Sequence, residues 1–463
     1  MASLRAALAF LAAVGAGAPV VPHPPLTLSG ALALARRANP DLKEAAARAD
    51  AADSLLSRAR AELYPSLAVN VNYQASDNPL RKFSFLLAQN VLNPATLFAA
   101  APSVDNLQGE LHAQYLIYSG GARPAQIRTA RMETRAAQDA RDALGNRVMF
   151  QVAEAYLRVY QARELVTVRR EAVDLVKSQL ETVNAQVRAN SAVRADALTV
   201  ELHLSEVEEA LISARTALAL GRAVLENVTG AALSGYELPQ TLEPPPWTAH
   251  VAKTEAAAAR LEQSDEPAPA EAIAEAGQLR GELAQAADQE RSAEARVEVA
   301  KAARRPTLGL SADYDTNTGD LTATRGTYFV ALAFSVNVFD AGRARADPRQ
   351  AQAALEAAVA HNQRARLDIE LDVKRALLAY RDARAKLAVS SAAVASAREN
   401  LGLVESRFRN QVITVTQLLD AQVALTEARV KSTTARTDLD IAAVGVERAI
   451  GRMSAFSREA LAQ

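Results

Sequence analysis

Two hydrophobic periods alternate along the chain, and each is used twice. Leu67, Val69, Val71 and Tyr73 recur at every second position, with Asn70 and Asn72 between them. Leu111, Ala113, Tyr115 and Ile117 do the same. In the second half, Leu308, Leu310, Ala312 and Tyr314 share one side of an extended run. Tyr328, Val330, Leu332, Phe334, Val336 and Val338 share another, opposed by Ala331, Ala333, Ser335 and Asn337. A period of two predicts β-strands, here at about 67–74, 108–118, 307–315 and 326–338. Large apolar residues on one side and small or polar ones on the other suit a membrane barrel with lipid outside and water inside. A soluble, half-buried hairpin gives the same alternation.

Elsewhere the period is helical. Val148, Val152, Ala155, Tyr156, Val159 and Ala162 recur at threes and fours, as do Ile369, Val373, Ala376, Leu377 and Tyr380. Long helices are predicted over 122–189 and 343–410. Each is about 68 residues, or roughly 100 Å at the helical rise. Asn190-Ser191 and Gln411-Val412 interrupt the pattern, and return helices follow at 195–228 and 416–450, with Gly230 and Gly451 as C-terminal caps. Shorter helices, at about 41–62 and 282–304, precede the first strand of each half and are stopped at Pro65 and Pro306.

The order helix, strand, strand, long helix, return helix therefore occurs twice, over 19–230 and 271–451. A repeat of this kind fixes the architecture before any local detail does. The fold class is mainly α with a small β part, built on long antiparallel coiled-coil helices in two internal repeats. A proline-rich linker, 231–270, carries the single Trp247, and 452–463 forms a tail. The connection from Gln74 to Glu110 is long and contains Asn78-Pro79, Asn93-Pro94, Ala101-Pro102 and the aromatics Phe83, Phe85 and Phe98. Loops of that length are as a rule functional or mobile.

Composition narrows the class. Aromatics are 5% of the 463 residues and alanine is very common, which favours long helices over several ordinary domains. A net charge of -1 gives no sign of nucleic-acid binding. The absence of cysteine excludes disulfides, thiolate metal sites and a lipid-modified N-terminal cysteine. Arg5, the apolar run Ala6–Val14 and Ala16-Gly17-Ala18 read as a secretory signal at 1–18, too short to span a bilayer. No other segment is long and apolar enough for a transmembrane helix, but an exported chain can still enter a membrane as a barrel. The five histidines, His23, His112, His203, His250 and His361, fall in no metal-ligand spacing. There is no GxSxG, P-loop or dinucleotide fingerprint, so no enzyme, cofactor or metal is expected.

The most specific stretch is Arg407-Phe408-Arg409-Asn410-Gln411-Val412-Ile413-Thr414-Val415-Thr416-Gln417-Leu418-Leu419-Asp420-Ala421-Gln422. With the weaker partner Val187–Leu198, the proline before the first strand and the aromatic-x-x-Gly before each long helix, it resembles the TolC family of bacterial outer-membrane efflux channels. The resemblance covers nearly all of the mature chain. It implies a homotrimer with four strands per chain in one twelve-stranded barrel set in outer-membrane lipid, and a hollow α-barrel across the periplasm. It implies an exit duct, for efflux or type I secretion, opened by a periplasmic adaptor (a membrane fusion protein) and an inner-membrane pump. Asp420 matches the family's acidic ring at the pore entrance; a helix-start aspartate stabilised by the dipole is the alternative. Asp196 matches an acidic position of the closed-state latch. Phe408 stands where a tyrosine usually joins that latch, and Ile413 occupies its arginine position, leaving Arg194 or Arg409 as substitutes. The hairpin tips, Asn190, Ser191, Gln411 and Val412, are the implied adaptor contacts. A periplasmic coiled-coil adaptor or a soluble scaffold is the competing reading; an adaptor should carry a lipoyl-like β-domain, and none is evident.

Overall fold

The computed structural model describes residues 25–92, 103–237, 239, 270–319, 325–410 and 412–453. The signal segment 1–18, Phe98, Trp247 with most of the linker, Gln411 and the tail from 454 onward lie outside these residues. The chain runs α1 (Leu28–Ala38), α2 (Pro40–Ala61), β1 (Ser66–Ser76), α3 (Pro79–Ala88), β2 (Val104–Tyr118), α4 (Ala122–Arg188) and α5 (Arg194–Thr229). It continues α6 (Ala270–Leu279), α7 (Gly281–Ala302), β3 (Thr307–Thr318), β4 (Arg325–Ser335), α8 (Arg343–Arg409) and α9 (Val415–Ile450). Apart from α3, the second series repeats the first, and lengths agree. α2 and α7 have 22 residues each, α4 and α8 have 67, and α5 and α9 have 36. The chain forms two compact units, residues 47–139 with 284–364, and residues 1–46, 140–283 and 365–463.

The first unit holds a four-stranded antiparallel sheet in the order β1-β2-β3-β4. Four strand limits differ from the alternation by two residues or more, among them the end of β3, which runs on to Thr318 because Thr318 pairs with Leu107. β1 runs on to Ser76 and β2 starts at Val104, because Ser76 and Val104 still pair. β4 stops at Ser335 rather than 338, because Ser335 pairs with Thr307 and the preceding Pro306 has no N–H to extend the ladder. Ile117 does not continue the face of Tyr115: the register steps from Leu116↔Gly309 to Tyr118↔Leu308, a bulge that leaves Ile117 as the extra residue. The connection after β1 holds α3, whose start follows from Asn78-Pro79. Asn78 Oδ1 accepts from the Leu80 and Arg81 amides, and proline suits the first helical position.

Both strand-to-helix turns are held by the end of α7. Arg305 donates to Gly120 O at 3.1 Å and Arg304 to Ala344 O at 2.7 Å. Gly120 has φ +64, and a Cβ there would meet Arg305 Cβ at 2.8 Å and Ala302 O at 2.9 Å. Only glycine fits that approach in that conformation.

The second unit is an α-helical body. Its main core joins Leu32 of α1, Val148, Val152, Tyr156 and Val159 of α4, Leu225 of α5 and Val444 of α9. Each such fully buried aliphatic contributes about 2 kcal/mol. The Tyr156 hydroxyl, buried with its ring, donates to Leu26 O at 2.9 Å. A second cluster sets Ala276 of α6 against Ile369, Val373, Leu377 and Tyr380 of α8 and Val446 and Ile450 of α9. The two return helices end alike. α5 stops at Gly230 (φ +71), packed on the α1–α2 break, where buried Asn39 donates to Val228 O at 2.7 Å. α9 stops at Gly451 (φ +101), packed on the α6–α7 break, where Arg280 donates to Ala449 O at 3.0 Å. The break at Arg280-Gly281 makes α6 a separate helix, so the second half begins with a pair, as the first half does.

Candidate functional site

Partners across a ladder share a face, so the register sorts every strand residue. One face carries Leu67, Val69, Val71 and Tyr73 of β1, Leu111, Ala113 and Tyr115 of β2, Leu310, Ala312 and Tyr314 of β3, and Tyr328, Val330, Leu332 and Phe334 of β4. The other carries Asn70 and Asn72, then Gln108, Glu110, His112 and Gln114, then Ser311, Asp313, Asp315 and Asn317, with Thr327 and Phe329 on β4. The apolar face is uncovered in the single chain: its β1 residues are between 66% and 70% exposed and Tyr328 is 84% exposed. A continuous apolar band of this kind, backed by a polar face, suits a sheet between lipid and water. Among the described residues, the outer strands β1 and β4 each pair with one neighbour only. Lipid offers no partner for those open edges. Phe329, opposite Asp313, and Leu116, opposite Gly309, are large apolar exceptions on the polar face, and alternation alone had singled out neither.

α3 reaches the same polar face. Gln89, which follows it, donates from Nε2 to Asp105 O at 2.7 Å and to Asn106 Oδ1 at 3.0 Å, and Asn106 donates in turn to Asn317 Oδ1 at 2.8 Å. Among the described residues one group of potential metal donors converges, Glu110, His112 and Asp313, on that face. Sequence spacing missed it, because His112 and Asp313 are separated by 201 positions; Glu110-x-His112 on one strand face was the visible half.

The other sequence-derived residues lie in the helical unit, at the two hairpin ends. After α4, Asn190 adopts φ +56, and the Ser191 N–H donates to Gln186 O at 2.9 Å. Asp196 caps the start of α5, accepting from the Val193 N–H at 3.3 Å. Arg194 is exposed. After α8, the exposed Val412 closes the turn by donating its N–H to Arg407 O at 3.0 Å, and Gln417 Oε1 accepts from the Thr414 N–H. Arg409 is exposed and its Nε donates to Glu405 O at 3.4 Å. Phe408 is a packing residue. It bridges a cluster of Val176, Val183, Val200, Val415 and Leu419 and a second cluster of Leu401, Leu418 and Ala421, so the two hairpins share one apolar core. Asp420 is exposed in the second turn of α9. That position lies past the first turn, where the helix dipole acts most strongly. Among the described residues, no hydrogen bond or ion pair joins Asp420, Asp196, Phe408, Arg194 and Arg409 to one another.

Two further helix faces are left without cover in this unit. α5 exposes Leu198, Leu202, Ile212, Leu220 and Val224, and α8 exposes Leu367, Leu371, Leu378, Val389 and Leu403. Their spacings, 4, 10, 8 and 4 on α5 and 4, 7, 11 and 14 on α8, keep each set on one side of its helix. Between α6, α8 and α9 the charges are paired. Arg280, 8% exposed, bonds Asp372 at 2.9 Å and Glu282 at 3.0 Å, and Arg448 bonds Asp372 at 2.7 Å. Burial pushes the Asp372 carboxyl up, but hydrogen bonds from Arg448 and Arg280 outweigh it and hold it below the usual range. No described helix is long and apolar enough to cross a membrane.

The outer membrane efflux protein family matches residues 31–231 and 272–452 of the chain. The chain is similar to outer membrane efflux protein BepC of Brucella suis, at 26% identity over 319 residues, which are 66% of this chain and 64% of BepC. It is similar to the pyoverdine export outer membrane protein OpmQ of Pseudomonas aeruginosa, at 25% identity over 363 residues, 78% of this chain and 73% of OpmQ. Its fold is that of the Campylobacter jejuni CmeC outer membrane channel, with a TM-score of 0.76 at 16% identity, over 92% of this chain and 85% of CmeC.

Proposed function

The chain belongs to the outer membrane efflux protein family, and from that premise we propose that it is the outer-membrane exit duct of a tripartite export assembly. It conducts substrates passively and catalyses no reaction. The observation that carries this reading is the sheet: a lipid-compatible face over all four strands, a polar face behind it, and two unpaired edges. Edge β1 of one copy joins edge β4 of the next, and three copies close a twelve-stranded barrel in the outer membrane. The uncovered stripes on α5 and α8 support the same assembly, since apolar faces of this extent are buried by neighbouring helices. The contact of Gln89 with Asn106 supports α3 as a partial plug on the lumenal side.

The hairpin ends form the periplasmic entrance and the contact surface for an adaptor, with an inner-membrane pump as its driver. Asn190, Ser191 and Val412 form the tips, and Gln411, outside the described residues, is kept as a contact candidate from the sequence alone. Asp420, exposed and without an ion-pair partner among the described residues, supplies one carboxylate per chain to a ring at the entrance, which concentrates negative potential on the axis and favours cations. Asp196 and Phe408 serve the hairpins by capping and packing. The test is single-channel conductance of detergent-purified protein in planar bilayers, wild type beside Asp420→Ala. Small cation-selective openings whose selectivity falls in the variant are expected. Unchanged selectivity removes Asp420 from the entrance, and absence of any insertion removes the duct.

A further inference from the structure

We propose that Glu110, His112 and Asp313 form a binding site for a divalent transition-metal ion on the polar face of the sheet. The site requires only the sheet and does not depend on the duct reading. His112 and Asp313 stand directly opposite each other on β2 and β3. His112 Nδ1 is in hydrogen-bond contact with Asp313 Oδ1. Glu110 lies two residues along β2, on the same face, about 7 Å away along the strand. One donor atom from each of the three residues lies within 4.8 Å of the others, so a single ion can touch all three.

A cross-strand ion pair accounts for His112 and Asp313 but not for Glu110. The two rows containing the donors read Ala68-His112-Asp313-Phe329 and Asn70-Glu110-Asp315-Thr327. They hold three carboxylates and one imidazole, and neither row contains a Lys or Arg. Asp315 accepts from Gln108 Nε2 at 3.1 Å, and Glu110 Oε2 accepts from Asn70 Nδ2 at 3.4 Å. Those neutral amides hold the carboxylates in place without neutralising them, as outer-shell partners of metal ligands do. The Asp313 side chain is 20% exposed and that of His112 36%, so the site is sheltered yet open to water, which completes the coordination.

One imidazole with two carboxylates suits Mn²⁺, Fe²⁺, Co²⁺, Ni²⁺ or Zn²⁺, whereas calcium and magnesium favour all-oxygen sets. On binding, the ion takes the place of the proton between Nδ1 and Asp313. From the doubly protonated ring that Asp313 favours, that proton leaves to solvent, and His112 becomes neutral with its other proton on Nε2. No electron transfer is involved.

The test uses full-length, detergent-purified protein stripped with a chelator. Co²⁺ is added and followed by its visible absorption, and Zn²⁺ is then titrated in by calorimetry. One equivalent per chain is expected, with affinity lowered at least about tenfold in His112→Ala, Asp313→Asn and Glu110→Gln. His203→Ala, in the helical unit, should bind as wild type does. Circular dichroism and gel filtration confirm that each variant is folded, and Glu110→Gln, the mildest change, decides if His112→Ala is not. Wild type that binds neither ion, or binds both as the three variants do, overturns the proposal.

Discussion

Glu447→Gln should stabilise the protein at neutral pH and leave it unchanged in mild acid. The Glu447 side chain is 0% exposed. Neither carboxylate oxygen accepts a hydrogen bond among the described residues. Arg452 Nη1, at 3.5 Å, is too distant for a strong bond and is itself held by Glu275. Burial pushes the carboxyl from 4.5 up to about 6; Arg452 offsets part of the shift and Glu275 adds to it. The folded chain therefore keeps the proton to a higher pH than the unfolded chain. Stability from this group is full below about pH 4.5, falls as pH rises toward 6, and stays low above that. A shift of about 1.5 units corresponds to roughly 2 kcal/mol. Glutamine copies the protonated form, so it should add about 2 kcal/mol at pH 7.5 and almost nothing at pH 4, below both values. The assay is thermal unfolding by circular dichroism at fixed scan rate, for both proteins at both pH values. The quantity read is the difference between variant and wild type, which cancels the other titrating groups. A variant that is less stable at pH 7.5, or equally shifted at both pH values, refutes the buried-charge argument.

Removing the Arg280 side chain exposes the cost of the paired charges around it. Arg280→Ala leaves Glu282 and one oxygen of Asp372 without their partner, and should cost about 3 kcal/mol in the same unfolding assay; stability equal to wild type would contradict that packing. Gly230→Ala forces a Cβ to 2.9 Å from Asn39 Cα at φ +71, and should cost at least about 1 kcal/mol from the left-handed backbone alone. Gly145→Ala, where nothing lies within 4 Å, serves as its control and should be neutral or slightly stabilising.

The repeat and the sheet were legible because both rest on periods. Alternation in Tyr328–Phe334 and helical spacing in Val148–Val159 survive in the structure because the same faces are lipid-compatible or buried. The ends were less legible. β4 stops where its partner strand begins at Thr307, a fact of pairing that β4 alone does not encode. α3 was hidden in a long connection although Asn78-Pro79 marked its start, since a helix ten residues long has little room for a repeating face. At the hairpins, family pattern picked out Asp196 and Phe408 as latch positions, whereas local geometry uses one as a cap and the other as packing. The donors at His112 could not be assembled from spacing, because they meet only once β2 and β3 are in register.

The central claim is that the two sheet edges close on other copies of the chain, three in all. The chain has no cysteine, so an introduced pair reports without background. Val71→Cys on β1 is combined with one cysteine moved along β4 from Tyr328 to Phe334. Within one chain these strands are three strand spacings apart, roughly 14 Å, beyond the about 7 Å that a disulfide spans. Oxidation of the membrane-embedded protein should give, at one or two β4 positions, a covalent ladder that stops at three copies. No crosslink at any position, or a ladder that continues past three, would contradict the closed trimeric barrel.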